Sequence, residues 1–581
     1  MPFPTLLPLL LALALVPAGQ PEAAKPDPRF DPVTGRSLAN WPPAPLFDHE
    51  HLLLDIDIAD MEAQAFTATA SLRVRPLGRE RREIALHAGD NLTISAVTVN
   101  GTPARFEHRD GRLTITLPSP ASPGTPLALR IAYAASNTSR DGNGLIWLRS
   151  RRSDDGSERQ PAIIYSQGQA ENNHLWFPCH DFPDEKLTTE IRATVPDGYE
   201  VLSNGRLVTP STPAPDGRRV WHWLQDKPHS AYLVTFVVGK YEIVELGGPD
   251  SARPGLPVPV YGYPGTADTL RRVFANTPAM IAFFERYFDE PYPWDKYAQV
   301  LVRNFRWGGM ENTSATTLAD FAGRGRAGDF DDLIAHELAH QWMGDLVTCR
   351  SWEHLWLNEG WATFSEWLWT EHTKGEDAYF DAVAATLTSL GATAKGVAPR
   401  DIPVVSPLYT SPDDPFEKAD NPYPKGGLLL HMLRQRLGDQ VFITAVRTYI
   451  DRFKFDNADT DDFRRVLEET SGQSLERFFG QWAYRPGLPR LAVDLSWDEP
   501  SKSLRVALAQ TQTIDADNPA YALRVPIWLD VPGSPDGRWV HVDIDTRSAE
   551  RAFPLPAKPS RVRIDPHTTN AAIVSIKRKL D

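Results

Sequence analysis

Two histidines with a glutamate between them are the residues of this chain best suited to bind and use a metal ion. His336 and His340 are four residues apart, which in a helix puts both imidazoles on one face, one turn apart. Glu337 projects toward the same side and can take a proton from a metal-bound water. Glu359 follows in the run WLNEG and offers a third ligand. Two His and one Glu, with the fourth position left to water, predict one catalytic Zn²⁺ per chain.

Two helices must cross to bring these ligands together. Apolar residues recur at helical spacing around the histidines, and Asp331 or Asp332 can cap the start of that helix. A second helix that begins near Trp356 would carry the third ligand. Asp345 and Glu366 are near enough in sequence to accept the other N–H of a ligating histidine. A lone His-Glu-x-x-His also arises by chance in long chains, so the carboxylate at a fitting distance is what favours a metal site.

Four motifs of this chain resemble those of the M1 family of zinc aminopeptidases, the gluzincins that include aminopeptidase N and leukotriene A4 hydrolase. They occur in the order that the family has: Gly308-Gly-Met-Glu-Asn312, HELAHQW at 336–342, WLNEGWAT at 356–363 and Tyr423-Pro-Lys-Gly426. The similarity runs from about residue 50 to the C-terminus. It implies a metallo-aminopeptidase, a zinc-dependent hydrolase that removes N-terminal residues from peptides.

The resemblance also implies a role for each catalytic side chain. Glu337 would act as general base toward the water and then as general acid toward the leaving amine. Tyr423 would donate its phenolic O–H to the oxyanion of the tetrahedral intermediate. Glu311 would pair with the free α-ammonium of the substrate, which a blocked or internal amide lacks. The implied partners are therefore peptides with a free N-terminus.

The resemblance assigns further residues to the substrate. Gly308 and Gly309 would let the substrate strand approach the backbone closely, and Met310 would help to shape the first side-chain pocket. Gln167 and Gln169 match a segment that supplies polar side chains near the substrate amine. Many aminopeptidases have Glu where Gln169 stands, whereas members similar to leukotriene A4 hydrolase have Gln.

The chain is predicted to be a multidomain α+β protein. A signal peptide is expected at 1–24 and an all-β domain, saddle-like by resemblance, at 25–246. A mainly helical, thermolysin-like catalytic domain is expected at 247–486 and a β-sandwich at 487–581. Larger members of the family continue with a helical C-terminal domain, and none is predicted here.

Local patterns support this division. Asn100-Gly101 predicts a hairpin turn, and Ala267 to Phe288 predicts one helix with a kink at Pro278. Period-two alternation predicts strands in the first and last parts, for example at Leu54, Ile56 and Ile58, and at Val493, Leu495 and Trp497.

The N-terminal segment and the net charge of the chain indicate where the protein is located and which partners are excluded. The apolar run from Leu6 to Val16 is too short to span a bilayer but has the size of a signal-peptide core. The chain is therefore predicted to be exported, to the periplasm, the medium or the cell surface, without an integral membrane span. A formal net charge of −14 argues against nucleic acid as a partner. The sequence does not predict the oligomeric state.

Two other functions remain open from sequence. One is a bifunctional epoxide hydrolase and aminopeptidase similar to leukotriene A4 hydrolase, a branch whose pattern Gln167, Gln169 and Pro178-Cys179 match. Its epoxide chemistry uses an acid about eight residues before the catalytic tyrosine, and Pro415 stands there. The other is a non-catalytic peptide-binding module. Loss of a ligand, of the base or of Tyr423 would mark such a module, and none is lost.

Overall fold

The computed structural model describes residues 29–152, 158–393, 402–417, 421–516 and 518–578. The signal peptide predicted for 1–24 lies outside these residues. Within them the chain has a strand-rich N-terminal part, a mainly helical central part and a C-terminal part made of strands. None of the helices in these ranges combines the length and the apolar character that a bilayer crossing requires. Both cysteines, Cys179 and Cys349, are buried free thiols.

The N-terminal part is built almost entirely from strands. These are β1 (Phe47–Asp57), β2 (Ala65–Pro76), β3 (Arg81–His87), β4 (Leu92–Val99), β5 (Thr102–Pro103), β6 (Phe106–Arg109), β7 (Arg112–Ala121), β8 (Leu127–Ser136), β9 (Ser139–Arg140), β10 (Asn143–Leu148), β11 (Arg151–Arg152), β12 (Glu158–Gln160), β13 (Ile163–Gln167), β14 (Lys186–Val195), β15 (Glu200–Ser203), β16 (Arg206–Pro213), β17 (Arg219–Ser230) and β18 (Phe236–Gly239).

An eight-stranded sheet in the order β16-β17-β14-β1-β2-β8-β4-β5 and a five-stranded sheet in the order β15-β18-β13-β10-β9 organise this part. The predicted alternation is confirmed, because Leu54 and Ile56 on β1 are buried while Asp55 between them is exposed. The Asn100-Gly101 hairpin is also confirmed. Both residues have positive φ, 49° and 79°, as the tight turn between β4 and β5 requires.

The central part has ten labelled helices in the described residues, with a five-stranded mixed sheet and a separate two-stranded sheet. The helices are α1 (Ala267–Val273), α2 (Thr277–Phe288), α3 (Asp331–Ala339), α4 (Trp356–Lys374), α5 (Glu376–Thr393), α6 (Asp414–Glu417), α7 (Pro424–Leu437), α8 (Asp439–Phe453), α9 (Thr460–Ser471) and α10 (Glu476–Trp482). The strands are β19 (Glu242–Glu245), β20 (Pro259–Gly262), β21 (Ala298–Val302), β22 (Gly309–Met310), β23 (Ala315–Ala319), β24 (Val347–Cys349) and β25 (Asp456–Ala458). The sheet order is β19-β20-β21-β23-β22, so β22 forms an edge.

One sequence prediction for this part is wrong. A single kinked helix was predicted from Ala267 to Phe288, but α1 ends at Val273 and α2 begins at Thr277. Pro278 lies in the first turn of α2. A proline there lacks only an N–H that would have no helical partner anyway, so it starts a new helix instead of bending an old one.

The C-terminal part contains two sheets. Its strands are β26 (Arg490–Asp498), β27 (Ser503–Gln510), β28 (Leu523–Asp530), β29 (Arg538–Ile544), β30 (Ser548–Pro554), β31 (Arg561–Ile564) and β32 (Ile573–Arg578). They are ordered β30-β27-β26-β32 and β29-β28-β31. The alternation predicted for Val493 and Leu495 is confirmed, since both are buried on β26.

Two glycines set how closely α4 and α7 approach. A Cβ atom on Gly426 would lie 2.8 Å from Cα of Gly360, a distance that real Cβ atoms do not tolerate. The helices can therefore meet backbone to backbone only because both positions are glycine. Gly360 directly follows Glu359 on α4, and Gly426 lies three residues after Tyr423, so this contact brings those two side chains to the same place.

Candidate active site

The three predicted metal ligands come together on α3 and α4. His336 lies in the last turn of α3, and His340 is the residue that caps its C-terminus. Glu359 is in the first turn of α4, and its Oε2 lies 3.5 Å from Nε2 of His336 and 3.3 Å from Nε2 of His340. The potential ligand atoms all lie within 4.8 Å of one another. Two imidazoles and one carboxylate that converge in this way fit a zinc ion.

The outer nitrogens of both histidines are already hydrogen-bonded, which turns Nε2 of each ring inward. Nδ1 of His336 lies 2.7 Å from Oε1 of Glu366, and Nδ1 of His340 lies 3.0 Å from the carbonyl oxygen of Met343. Glu366 therefore has the supporting position predicted for it. Asp345 does not, because the Met343 carbonyl takes that place, and Asp345 contacts His340 only through its own N–H, which donates to the His340 carbonyl. Such outer partners fix the ring orientation that a metal needs.

The predicted cap of α3 is not made. Phe330 is the N-cap residue, and no side chain caps this end of the helix. Asp331 instead accepts a hydrogen bond from Asn276 at 2.8 Å. A tertiary contact has thus replaced the local one that the sequence predicted.

Burial and neighbouring charges set the ionisation of the two central carboxyl groups in opposite directions. Burial raises the pKa of Glu337 to about 8, although both histidines act to lower it. Burial also acts to raise the pKa of Glu359, but His340 and His336 outweigh it and lower the pKa to about 2. A carboxyl group with a pKa near neutrality suits proton transfer, whereas one that stays ionised suits ligation.

Glu311 is held beside this centre by two glutamines. Its carboxyl Oε1 accepts a hydrogen bond from Nε2 of Gln169 at 3.0 Å, and its backbone carbonyl accepts one from Nε2 of Gln341 at 2.9 Å. The Glu311 side chain is 3% exposed. Gln341 also accepts a hydrogen bond from the backbone N–H of Ser314. Gln341 directly follows His340, so this single side chain fixes the loop that carries Glu311.

Gly309 faces Glu337, the predicted general base, so closely that no side chain fits. A Cβ atom there would lie 2.2 Å from Oε1 of Glu337. Gly308 is less constrained, because a Cβ there would meet only Cδ1 of Leu333, at 3.2 Å. The loop backbone can therefore pass directly over Glu337 because residue 309 is glycine.

Tyr423 packs against His336, one of the three predicted metal ligands. Its ring stacks on that of His336, with centroids 5.9 Å apart and planes at 13°. Tyr423 caps the N-terminus of α7, where the contact between Gly360 and Gly426 fixes it. Burial and then Glu359 raise the pKa of its phenol well above the usual value. The phenol therefore stays protonated and can donate.

Met310, predicted to help shape the first side-chain pocket, is not among the residues that line the cavity. Its side chain is 1% exposed and packs in a buried cluster with Leu233 and Trp352. Its sulfur accepts a hydrogen bond from Nε2 of Gln167 at 3.3 Å. The side chains on β22 alternate in direction, so Met310 turns inward when Gly309 faces Glu337. Gln167 thus lines the cavity and also holds the Met310 side chain.

The other predicted residues share one cavity of about 650 Å³. The described residues that line it are Asn143, Gln167, Gln169, Ala170, Arg306, Trp307, Gly308, Gly309, Glu311, Leu333, His336, Glu337, His340, Glu359, Glu366, Asp413, Phe416 and Tyr423. Sequence reasoning missed Arg306, Trp307, Phe416 and the supporting Gln341. Only Gln341 had a signal, as a polar residue directly after the metal motif.

Two family models match the chain. The "Peptidase M1 N-terminal domain" model matches residues 48–233 and the "Peptidase family M1 domain" model matches residues 273–482. Together they cover more than half of the chain. The second match contains the three predicted metal ligands, Glu337 and Tyr423.

Among similar proteins, aminopeptidase M1-C of Oryza sativa is 31% identical over 60% of this chain and 40% of its own length. Aminopeptidase N of Streptomyces lividans is 28% identical over 77% of this chain and 52% of its own length. Leucine aminopeptidase 2 of Neosartorya fischeri is 28% identical over 80% of this chain and 74% of its own length. The chain thus spans about half or less of the first two proteins. With both family models matched in order and the His-His-Glu centre in place, the chain belongs to peptidase family M1.

Proposed function

We propose that this protein is a zinc-dependent aminopeptidase that hydrolyses N-terminal residues from peptides. The observation that carries the proposal is the position of Glu311, a buried carboxyl group in the same cavity as the His-His-Glu centre. A metal centre alone would suit an endopeptidase equally well. A carboxylate beside it selects substrates whose amine is free.

The proposed amine site is one oxygen of the Glu311 carboxyl group. Gln169 donates to one oxygen of Glu311, which leaves the other oxygen for the α-ammonium. Because residue 169 is a neutral amide, the charge that attracts the amine comes from Glu311. Gln169 holds its carboxyl group, and Gln341 holds its backbone.

Glu337 is proposed to accept the proton of the attacking water and to pass it to the departing nitrogen. Its carboxyl group lies under Gly309 on the edge strand β22. An extended peptide can pair with such an edge, and its first carbonyl would then face Glu337. The raised pKa of Glu337, about 8, suits a group that must take and return a proton near neutral pH.

Tyr423 is proposed to stabilise the oxyanion of the tetrahedral intermediate. Its protonated phenol lies beside His336 and can donate to an oxygen that gains charge there. His336, His340 and Glu359 would hold the metal ion. When bound, a zinc ion supplies Lewis acidity, which polarises a carbonyl and acidifies water.

The finer architecture is also a proposal. The eight-stranded sheet of the N-terminal part is proposed to be the curved saddle of M1 proteins, and the central part to be a thermolysin-like domain. The two C-terminal sheets are proposed to pack as a β-sandwich. Alternating burial on β26 and β28 supports this packing.

The test uses aminoacyl reporter amides, with the amine either free or acetylated, and the protein loaded with zinc or treated with a chelator. We expect metal-dependent release that strongly favours the free-amine compounds over the acetylated ones. Equal release from acetylated compounds would indicate an endopeptidase. Absence of metal-dependent release would instead support a binding module.

We further propose that the protein is exported, on the basis of the apolar run from Leu6 to Val16. Expression in a bacterial host followed by fractionation tests this. The expected result is a processed protein outside the cytoplasm, with a new N-terminus near residue 24. An unprocessed protein in the cytoplasm would contradict it.

A further inference from the structure

Arg306 is a cationic residue of the cavity that the proposed mechanism does not use. It is exposed and lines the same cavity as Glu311. Its guanidinium carbon lies 4.9 Å from the ring centroid of Trp307, and its Nη1 donates to the carbonyl of Asp141 at 3.2 Å. No carboxylate among the described residues pairs with it. An arginine without an acidic partner, in a chain of net charge −14, is available to an anionic ligand.

The loop that carries Arg306 also carries the amine site, and the order of residues gives the cavity a direction. Glu311 marks the end of the cavity where the substrate amine is proposed to bind. Gly309 passes over Glu337, and Gly308 faces Leu333, one turn earlier on α3. Trp307 and Arg306 follow toward solvent. A peptide whose amine is at Glu311 and whose first carbonyl is at Glu337 therefore extends toward Arg306 with its later residues.

The distance suits a short peptide. Arg306 lies five positions before Glu311, which is at most about 17 Å of extended chain. The two side chains reach into the cavity and span part of this length. An extended peptide of about three or four residues fits between the two charged groups, since each of its residues adds about 3.3 Å.

We infer that Arg306 binds a carboxylate of the substrate, and that the preferred substrates are free tri- and tetrapeptides whose terminal carboxylate reaches it. This inference rests on the proposed aminopeptidase function and names its substrate class. Guanidinium groups match carboxylates in geometry and charge. Stacking on Trp307 and the hydrogen bond to Asp141 hold the guanidinium group in place before a peptide binds.

The experiment compares alanine peptides of two to six residues, as free acids and as C-terminal amides, in wild type and in Arg306→Gln. We expect wild type to prefer the acid about two- to fivefold in kcat/KM at three or four residues, as for an exposed ion pair. In Arg306→Gln that preference should disappear through loss of activity on the acids. Arg306→Lys should restore part of it.

A control variant and a one-residue reporter separate the possible failures. Arg326→Gln removes another exposed arginine of the central part and should leave the acid preference unchanged. If Arg306→Gln lowers acids and amides equally, or leaves the preference intact, the inference is overturned. Aminoacyl reporter amides carry no carboxylate, so wild type that fails to cleave them refutes the proposed function itself.

An additional peptide identifies the source of the carboxylate. A tetrapeptide amide with aspartate at its third position offers a side-chain carboxylate at similar distance. If Arg306→Gln weakens cleavage of this amide but spares the free acids, the preference for a terminal carboxylate is overturned. If the free acids alone respond, the inference holds as stated.

Discussion

The candidate metal centre and the proposed amine site lie in one cavity but are assembled differently. His336, His340, Glu359 and Glu366 all come from two contacting helices, within 31 residues of sequence. The amine site joins Glu311 to Gln169, which is 142 positions away in the N-terminal part. Helix packing thus positions the groups proposed to react, whereas packing between two parts of the chain positions the group proposed to select substrates. Changes in the first region should remove turnover, and changes in the second should alter which substrates are cleaved.

The largest effect is expected from Glu337→Gln. The substitution keeps the shape but removes proton transfer, and kcat should fall by about 10²- to 10⁴-fold. Zinc content, measured by elemental analysis, should not change, because Glu337 is not a ligand in the centre described here. Asp332→Asn, on the exposed side of the same helix, is the matched control and should retain activity. Near-normal turnover by Glu337→Gln would contradict the division of roles.

Gly309→Ala tests the point at which the two regions meet. A Cβ at this position would lie 2.2 Å from Oε1 of Glu337, so either the loop or the base must move. A misplacement of about 1 Å can cost about 10²-fold in rate, and we expect a loss of that order in kcat/KM. Gly308→Ala on the same loop should lose much less, because its Cβ meets only the end of Leu333. Equal losses of kcat/KM in both variants would show that the loss does not come from the contact between residue 309 and Glu337.

Glu311→Gln should change selectivity more than rate. Loss of the charge removes an ion pair to the α-ammonium, and the ratio of kcat/KM for free against acetylated reporters should fall by about 10- to 100-fold. Asp413→Asn makes the same change in charge at another position on the cavity wall and should keep the ratio. A preserved ratio in Glu311→Gln would contradict the amine-site assignment.

The contrast between the regions also explains what sequence could predict. The ligands and the base were predictable because helical spacing alone places His336 and His340 on one face. Gln341 was not, since its partners Glu311 and Ser314 become its neighbours only through tertiary packing. The Met343 carbonyl lies only three residues from His340, but a backbone acceptor carries no signal in the sequence. Met310 shows the same limit: its motif marked the loop correctly, but the direction of the side chain depends on the pairing of β22. Asp331 failed as a cap because Asn276, distant in sequence, binds it instead.

The smallest effect is expected from the glycine contact that links Glu359 to Tyr423. Gly426→Ala would place a Cβ 2.8 Å from Cα of Gly360, and separating α4 from α7 should cost about 1–3 kcal/mol of stability. Gly480→Ala is the matched control, because that helical position has nothing within 4 Å of a new Cβ. Alanine there should stabilise the helix by up to about 1 kcal/mol. Thermal melting should therefore shift in opposite directions, down for Gly426→Ala and up for Gly480→Ala. An upward shift for both variants would contradict this account. It would mean that the packing of α4 on α7, which places Glu359 near Tyr423, does not require the backbone contact between Gly360 and Gly426.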